Sequence, residues 1–302
     1  MKGQISNFSQ IASIRRSVIT DGVSQGLKII DCDNGKIRFI LNESKALDIM
    51  QLYHEGQNVS FISRNGFMAQ NLPFPQRFEG GMLYTCGLDS VGGRDGFETH
   101  GSFHLQPAEV IRAECTENGI VIEAYIKSSL ISQSSLRVHR KITCAIGAET
   151  LTVEDRLENL GYGDENYCLL YHVNVGYPLL DDGAKIVGEV VSVQPRTPLA
   201  TERINDRAVM GAPVPLDDEV CYFLKFKEPK VSIENEKLGK KFTLCYSKDT
   251  LPEFVEWKNL HSGCYVIGLE PATTVLDDGF KYKTIKAGES IDFKLELSVS
   301  KI

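Results

Sequence analysis

The stretch SLRVHRKITC, residues 135 to 144, alternates with a period of two. Leu136, Val138, Arg140, Ile142 and Cys144 share one face, and Ser135, Arg137, His139, Lys141 and Thr143 the other. That period belongs to a half-buried antiparallel strand, because successive side chains of an extended chain point to opposite sides of a sheet. TLTVEDRLEN at 150 and SIDFKLELSVS at 290 repeat the pattern, the latter aligning Ile291, Phe293, Leu295, Leu297 and Val299. Polar, glycine-bearing turns separate such runs: ENG at 117, IGAE at 146, NLGYGDEN at 159, LDDGA at 180 and KAGES at 286. Many short strands joined in this way predict an all-β, mostly antiparallel sandwich with few short helices. Only ESKALDIMQLYHEG, residues 43 to 56, reads as a short helix. No internal repeat, low-complexity tract or long linker marks a boundary, so one domain over residues 1–302 is expected.

Composition narrows the function classes. With 33 basic and 40 acidic residues the formal net charge is −7, which lacks the basic footprint expected for nucleic acid or an anionic membrane. The polar N-terminal stretch and the lack of a long apolar run predict a cytoplasmic protein. Eight cysteines are scattered without a C-x-x-C pair, and most read as buried free thiols. Neither G-x-S-x-G nor a P-loop occurs, which leaves acid–base chemistry by histidine and carboxylate.

Two strand-like runs carry that chemistry. In CLLYHVNVGYP, from residue 168, alternation places Leu169, Tyr171, Val173 and Val175 on a core-like face, and Leu170, His172 and Asn174 on the other. In GCYVIGLEPATT, from residue 263, Val266, Gly268 and Glu270 share a face, so a carboxylate ends an apolar strand beside a glycine. Gly268 is expected to leave open space for a ligand on that face. FEGGMLYTCGLDSVGG at 78 is followed by His100 and His104. Their i, i+4 spacing lacks the H-E-x-x-H pattern. In an extended strand the rings would stand ~13 Å apart, too far to share a metal, so no metal is expected. The glycines do not follow a dinucleotide-binding pattern, and no cofactor is expected either.

FEGGMLYTCGLDSVGG, THGSFHLQPAEV, LLYHVNVGYPLL and LPEFVEWKNLHSGCYVIGLEPATT, in that order, resemble the aldose 1-epimerase (galactose mutarotase-like) superfamily, and within it a divergent bacterial branch. The resemblance spans roughly residues 70 to 280 and implies a β-supersandwich. His100, His172 and Glu270 match an early histidine, a central strand histidine and a late glutamate of the superfamily. It thereby implies Glu270 as general base toward the anomeric hydroxyl, His172 as general acid toward the ring oxygen, and His100 as a hydrogen-bonding partner of the sugar. Further matches are Arg77 in PQRFEGG as a substrate-binding arginine, and Glu219, with Asp218 as alternative, as an acidic sugar ligand. Trp257 and Lys258 in VEWKNL match a sugar-facing segment, and Asn174 accompanies His172 on its strand face. THGSFH replaces the usual LHGG-type signature and the ANR arginine signature is missing. Both departures argue against carrying over simple glucose or galactose specificity.

Anomer exchange needs one base and one acid, and it is redox-neutral. The expected partner is therefore a small sugar or sugar derivative, bound by a monomer or homodimer. Were that sugar acidic or phosphorylated, Arg77 and Lys258 are the expected anion ligands. The competing expectation is a sugar-binding or sensing protein that keeps the cleft without turnover.

Overall fold

A computed structural model describes residues 3–302. Its strands form three antiparallel sheets. An N-terminal five-stranded meander runs Ser13–Val18, Lys28–Asp33, Ile37–Asn42, Asp48–His54, Gln57–Asn58. An eight-stranded sheet places Ser290–Lys301 between Lys240–Tyr246 and Thr150–Asn159, and continues outward through Ser135–Cys144 to Gly119–Ser129 and Ala108–Thr116. A seven-stranded sheet is centred on Cys264–Ala272 and Glu165–Val175. Glu253–His261 and Val220–Phe226 lie on one flank, and Tyr84–Leu88 pairs with the other side of Glu165–Val175.

The alternation read from the sequence sets which face is buried. In Ser135–Cys144 every second residue is buried, and the same holds for Leu151, Val153, Leu157 and for Phe293 to Val299. The principal core lies between the sheets. It takes Leu169, Tyr171, Val173 and Val175 from one face of the central strand, whereas Cys168 and Leu170 enter a smaller cluster on the other. Each turn predicted from glycine-bearing segments separates two strands. All eight cysteines are free, five of them buried.

Residues 43–56 are not a helix. Asp48–His54 is a strand paired with Ile37–Asn42, entered through turns in which Ala46 and Leu47 have φ of 50° and 55°. Left-handed backbone at two successive positions cannot continue a right-handed helix. Tertiary demand decides the matter: Asp48 is drawn into the core by Arg140, Thr85 and His104. The two α-helical pieces, Phe74–Arg77 and Pro198–Glu202, are single turns. Among the described residues no helix is long and apolar enough to cross a membrane.

Candidate active site

Two neighbouring strands bring His172 and Glu270 together. Glu165–Val175 pairs with Cys264–Ala272 in the register Leu170↔Ala272 and Asn174↔Gly268, so their site-facing residues lie side by side. His172 Nε2 stands 3.2 Å from Glu270 Oε1, with both residues almost fully buried. The approach is not aligned as a hydrogen bond, because Glu270 Oε1 and His172 Nδ1 have no hydrogen-bonding partner. Gly268 makes the approach possible. A Cβ there would lie 2.5 Å from Glu270 Oε1 and 3.0 Å from His172 Cε1. The space expected to be open to a ligand is thus filled by the acid, the histidine and Trp257.

Above this pair lies a cleft of about 560 Å³. Trp257 stands edge-on to His172 with ring centroids 5.3 Å apart, and its Nε1 donates to Glu219 at 2.7 Å. Phe78 packs against both His172 and Trp257, and Phe74 against His100. His100 has φ of 64°, and its Nδ1 accepts the Gly92 N–H at 3.4 Å, which leaves Nε2 as the ring's donor. Its ring lies 5.5 Å from that of His172.

Burial dominates the electrostatics of the site. It raises the Glu270 carboxyl well above the usual range; the like charge of Glu219 adds to the effect and Arg196 opposes it. It holds the His172 imidazole well below its ordinary value; His100 acts in the same direction and the Asn174 side chain against it. His100 is pushed down to about 4 by burial and by Arg196 and Arg77. Burial thus favours the uncharged form of each group, a protonated carboxyl beside a neutral imidazole.

Of the residues singled out in the sequence, the fold gathers His172, Glu270, His100, Glu219 and Trp257 around one cleft. Asp218 does not line it. Three others lie elsewhere. Arg77 is buried behind the aromatic wall, where Nη1 donates to Tyr84 Oη and Nη2 to Glu98, both at 2.8 Å. Asn174 is fully buried and donates to the main-chain oxygens of Gly81 and His172, both at 3.0 Å. Lys258 is excluded from the cleft by pleating: it follows Trp257 in an extended strand and must point to the opposite face. There its Nζ donates to the carbonyls of Asp206, Arg207 and Val209. His104, in a 3-10 turn, is bonded through Nδ1 to Asp48 at 2.7 Å.

The cleft also holds basic side chains that the sequence does not single out. Arg196 lies just beyond the Val190–Pro195 strand and grips Asp277 through Nε and Nη2 at 2.5 and 2.6 Å. Arg64 and His261 line the far end. No local pattern announces them, because each reaches the cleft through pairing with a distant segment.

This arrangement can place one proton donor and one acceptor against neighbouring oxygens of a polyol ring, with an aromatic edge alongside. The fold is that of the galactose mutarotase-like proteins. Over residues 24–299 the chain matches the family described as "Domain of unknown function (DUF4432)", and it belongs to that family. It resembles a Klebsiella pneumoniae protein provisionally named an aldose 1-epimerase, with TM-score 0.87 and 20% identity over 97% of this chain and 86% of that one. It also resembles galactose mutarotase-like proteins from Clostridium acetobutylicum (TM-score 0.75, 12% identity, 97% and 100% of the two chains) and Lactobacillus casei (0.64, 14%, 90% and 100%). No curated protein matches the chain.

Proposed function

We propose that the protein interconverts the α and β anomers of an aldose or aldose derivative. The observation that carries this reading is the 3.2 Å approach of His172 Nε2 to Glu270 Oε1 at the bottom of the cleft. Glu270, as carboxylate, takes the proton of the C1 hydroxyl while His172, as imidazolium, protonates the ring oxygen. The C1–O5 bond breaks and an open-chain aldehyde forms. Rotation about C1–C2 presents the other carbonyl face, and reclosure returns both protons, so nothing is oxidised or reduced. The reactive form, carboxylate with imidazolium, has the same proton count as the neutral pair that burial favours. A ligand that brings hydroxyls to the pair can draw it into that form without exchanging protons with solvent. In this reading His100 Nε2–H donates to a sugar oxygen, and the Trp257 ring, held by Glu219, packs on an apolar sugar face.

Anomer exchange followed by NMR on a panel of free aldoses, uronic acids and sugar phosphates tests the reading. Acceleration that His172→Ala and Glu270→Gln both abolish supports it; absence of acceleration on every sugar ends it. A second reading, sugar binding without turnover, is favoured by the electrically neutral pair in the unliganded site. It requires binding that Glu270→Gln preserves and no exchange in the wild type.

A further inference from the structure

The cleft is longer than a single sugar ring needs. Val255, Trp257, Asn259 and His261 face it along one strand, and the neighbouring strand runs antiparallel in the register Val255↔Glu270, Trp257↔Gly268, His261↔Cys264. Six residues of extended chain separate Glu270 from Cys264, and at about 3.4 Å per residue that is ~20 Å. A pyranose ring, built from bonds of about 1.5 Å, is ~5 Å across. One ring over His172 and Glu270 leaves the half from Asn259 to Cys264 unfilled.

That half carries an unneutralised cation. Arg64 is exposed and lies against the turn between the two strands, its Nη2 donating to Ser262 O at 2.6 Å and its Nε to Gly263 O at 3.3 Å. Among the described residues it has no carboxylate partner, in contrast to Arg196, which spends its fork on Asp277. Two carbonyls fix the guanidinium in place without cancelling its charge, which suits it to a fixed anion. The imidazole of His261 lies at the same end, beside Asp217. In a chain of net charge −7, a lone guanidinium at one end of the cleft favours an anionic partner there.

We propose that the substrate is longer than one monosaccharide: an aldose whose reducing ring lies over His172 and Glu270 and whose second unit presents an anionic group to Arg64. This inference rests on the epimerase reading for the reducing ring, but the anion preference has its own readout. The test measures kcat/KM for anomer exchange on glucose, glucose 6-phosphate, maltose and a glucuronosyl-glucose disaccharide, with wild type, Arg64→Gln and Arg64→Lys. The expected result is at least a tenfold preference for the acidic over the neutral disaccharide, collapsing toward unity in Arg64→Gln and partly retained in Arg64→Lys. Glucose 6-phosphate, whose anion is too close to the reacting carbon to reach Arg64, should gain less. Equal rates on the two disaccharides, or a preference that survives Arg64→Gln, overturns the inference and leaves the epimerase reading standing. If no sugar is exchanged, the epimerase reading fails, and calorimetry on the same disaccharides decides the inference: tighter binding of the acidic one that Arg64→Gln abolishes sustains it, and equal or absent binding ends it.

Discussion

Two clusters of buried ionisable groups meet on the central strand, one on each face, and they are built on opposite principles. On the core face Arg140 is fully buried and spends its guanidinium on four partners: Asp155 in a fork at 2.9 and 2.7 Å, Asp48 at 2.6 Å, Thr85 Oγ1 at 3.0 Å and Ala46 O at 2.9 Å. Tyr171 donates to Asp155 at 2.7 Å, and His104 caps Asp48 through Nδ1, so that every polar group on Arg140 and its two carboxylates is bonded and only the outer His104 Nε2, 3.4 Å from Glu79 Oε1, has no bonded partner. Although burial pushes the Asp48 carboxyl upward, the bonds from His104 and the charge of Arg140 more than reverse it. On the cleft face His172 and Glu270 are just as buried, yet Nδ1 of one and Oε1 of the other have no bonded partner, and the Asn174 side chain and the charge of Arg196 offset only part of the cost of ionisation. A satisfied cluster fixes a fold, whereas an unsatisfied one at the foot of a cleft holds free energy that a ligand can release.

The largest effect should come from breaking the satisfied cluster. Arg140→Met strands two buried carboxylates and is expected to destabilise the protein by about 3–5 kcal/mol in chemical denaturation. Glu270→Gln should do the reverse, leaving the fold intact while cutting anomer exchange by ~100-fold or more. If Arg140→Met is tolerated within about 1 kcal/mol, the contrast between the two clusters is wrong.

A milder change tunes the unsatisfied cluster from outside. Because the charge of Glu219 helps to hold the Glu270 proton, Glu219→Gln should lower the Glu270 pKa. The carboxyl then loses its proton at lower pH, so the limb of the pH–rate profile that it sets should move downward. An unmoved limb would mean that Glu219 acts only through Trp257, and an upward shift would contradict the sign of its charge effect.

How much of this was legible beforehand follows from the range of the forces involved. His172 and Glu270 were found because alternation along one strand fixes which side chains share a face, and the turns because glycine and polar residues punctuate them locally. Lys258 stands next to Trp257 in the chain, which suggests a shared site, but pleating sends neighbours to opposite faces. The Asp48–His54 strand is not legible locally, because its turn entry and its pull toward Arg140, 92 residues from Asp48, are tertiary. Arg64 and Arg196 were invisible for the same reason: Arg64 is placed by a turn 198 residues away, and Arg196 by Asp277, 81 residues away. Arg140 stood in plain view as the one charge on an apolar face, a pattern that demands buried partners without saying which.

The smallest expected effect is on stability against pH, and it isolates what the unpaired carboxyl costs. A carboxyl whose pKa is higher folded than unfolded binds its proton more tightly in the native state, so its contribution is full below the unfolded value of about 4.3 and is lost as pH rises toward the folded value. Glutamine at 270 keeps the shape of the protonated acid and cannot ionise. The melting temperature of Glu270→Gln should therefore match wild type near pH 4 and exceed it by about 1–3 °C near pH 8, a gain typical of relieving a strained functional group. An Asp48→Asn control should behave oppositely. Its carboxylate is stabilised by its neighbours, so that variant should fall below wild type as pH rises from the depressed folded value through the unfolded aspartate value of about 3.9, and the deficit should stay constant above it. Parallel curves for the two variants would mean that both carboxylates serve the fold alike, and would remove the physical basis for assigning one of them to chemistry.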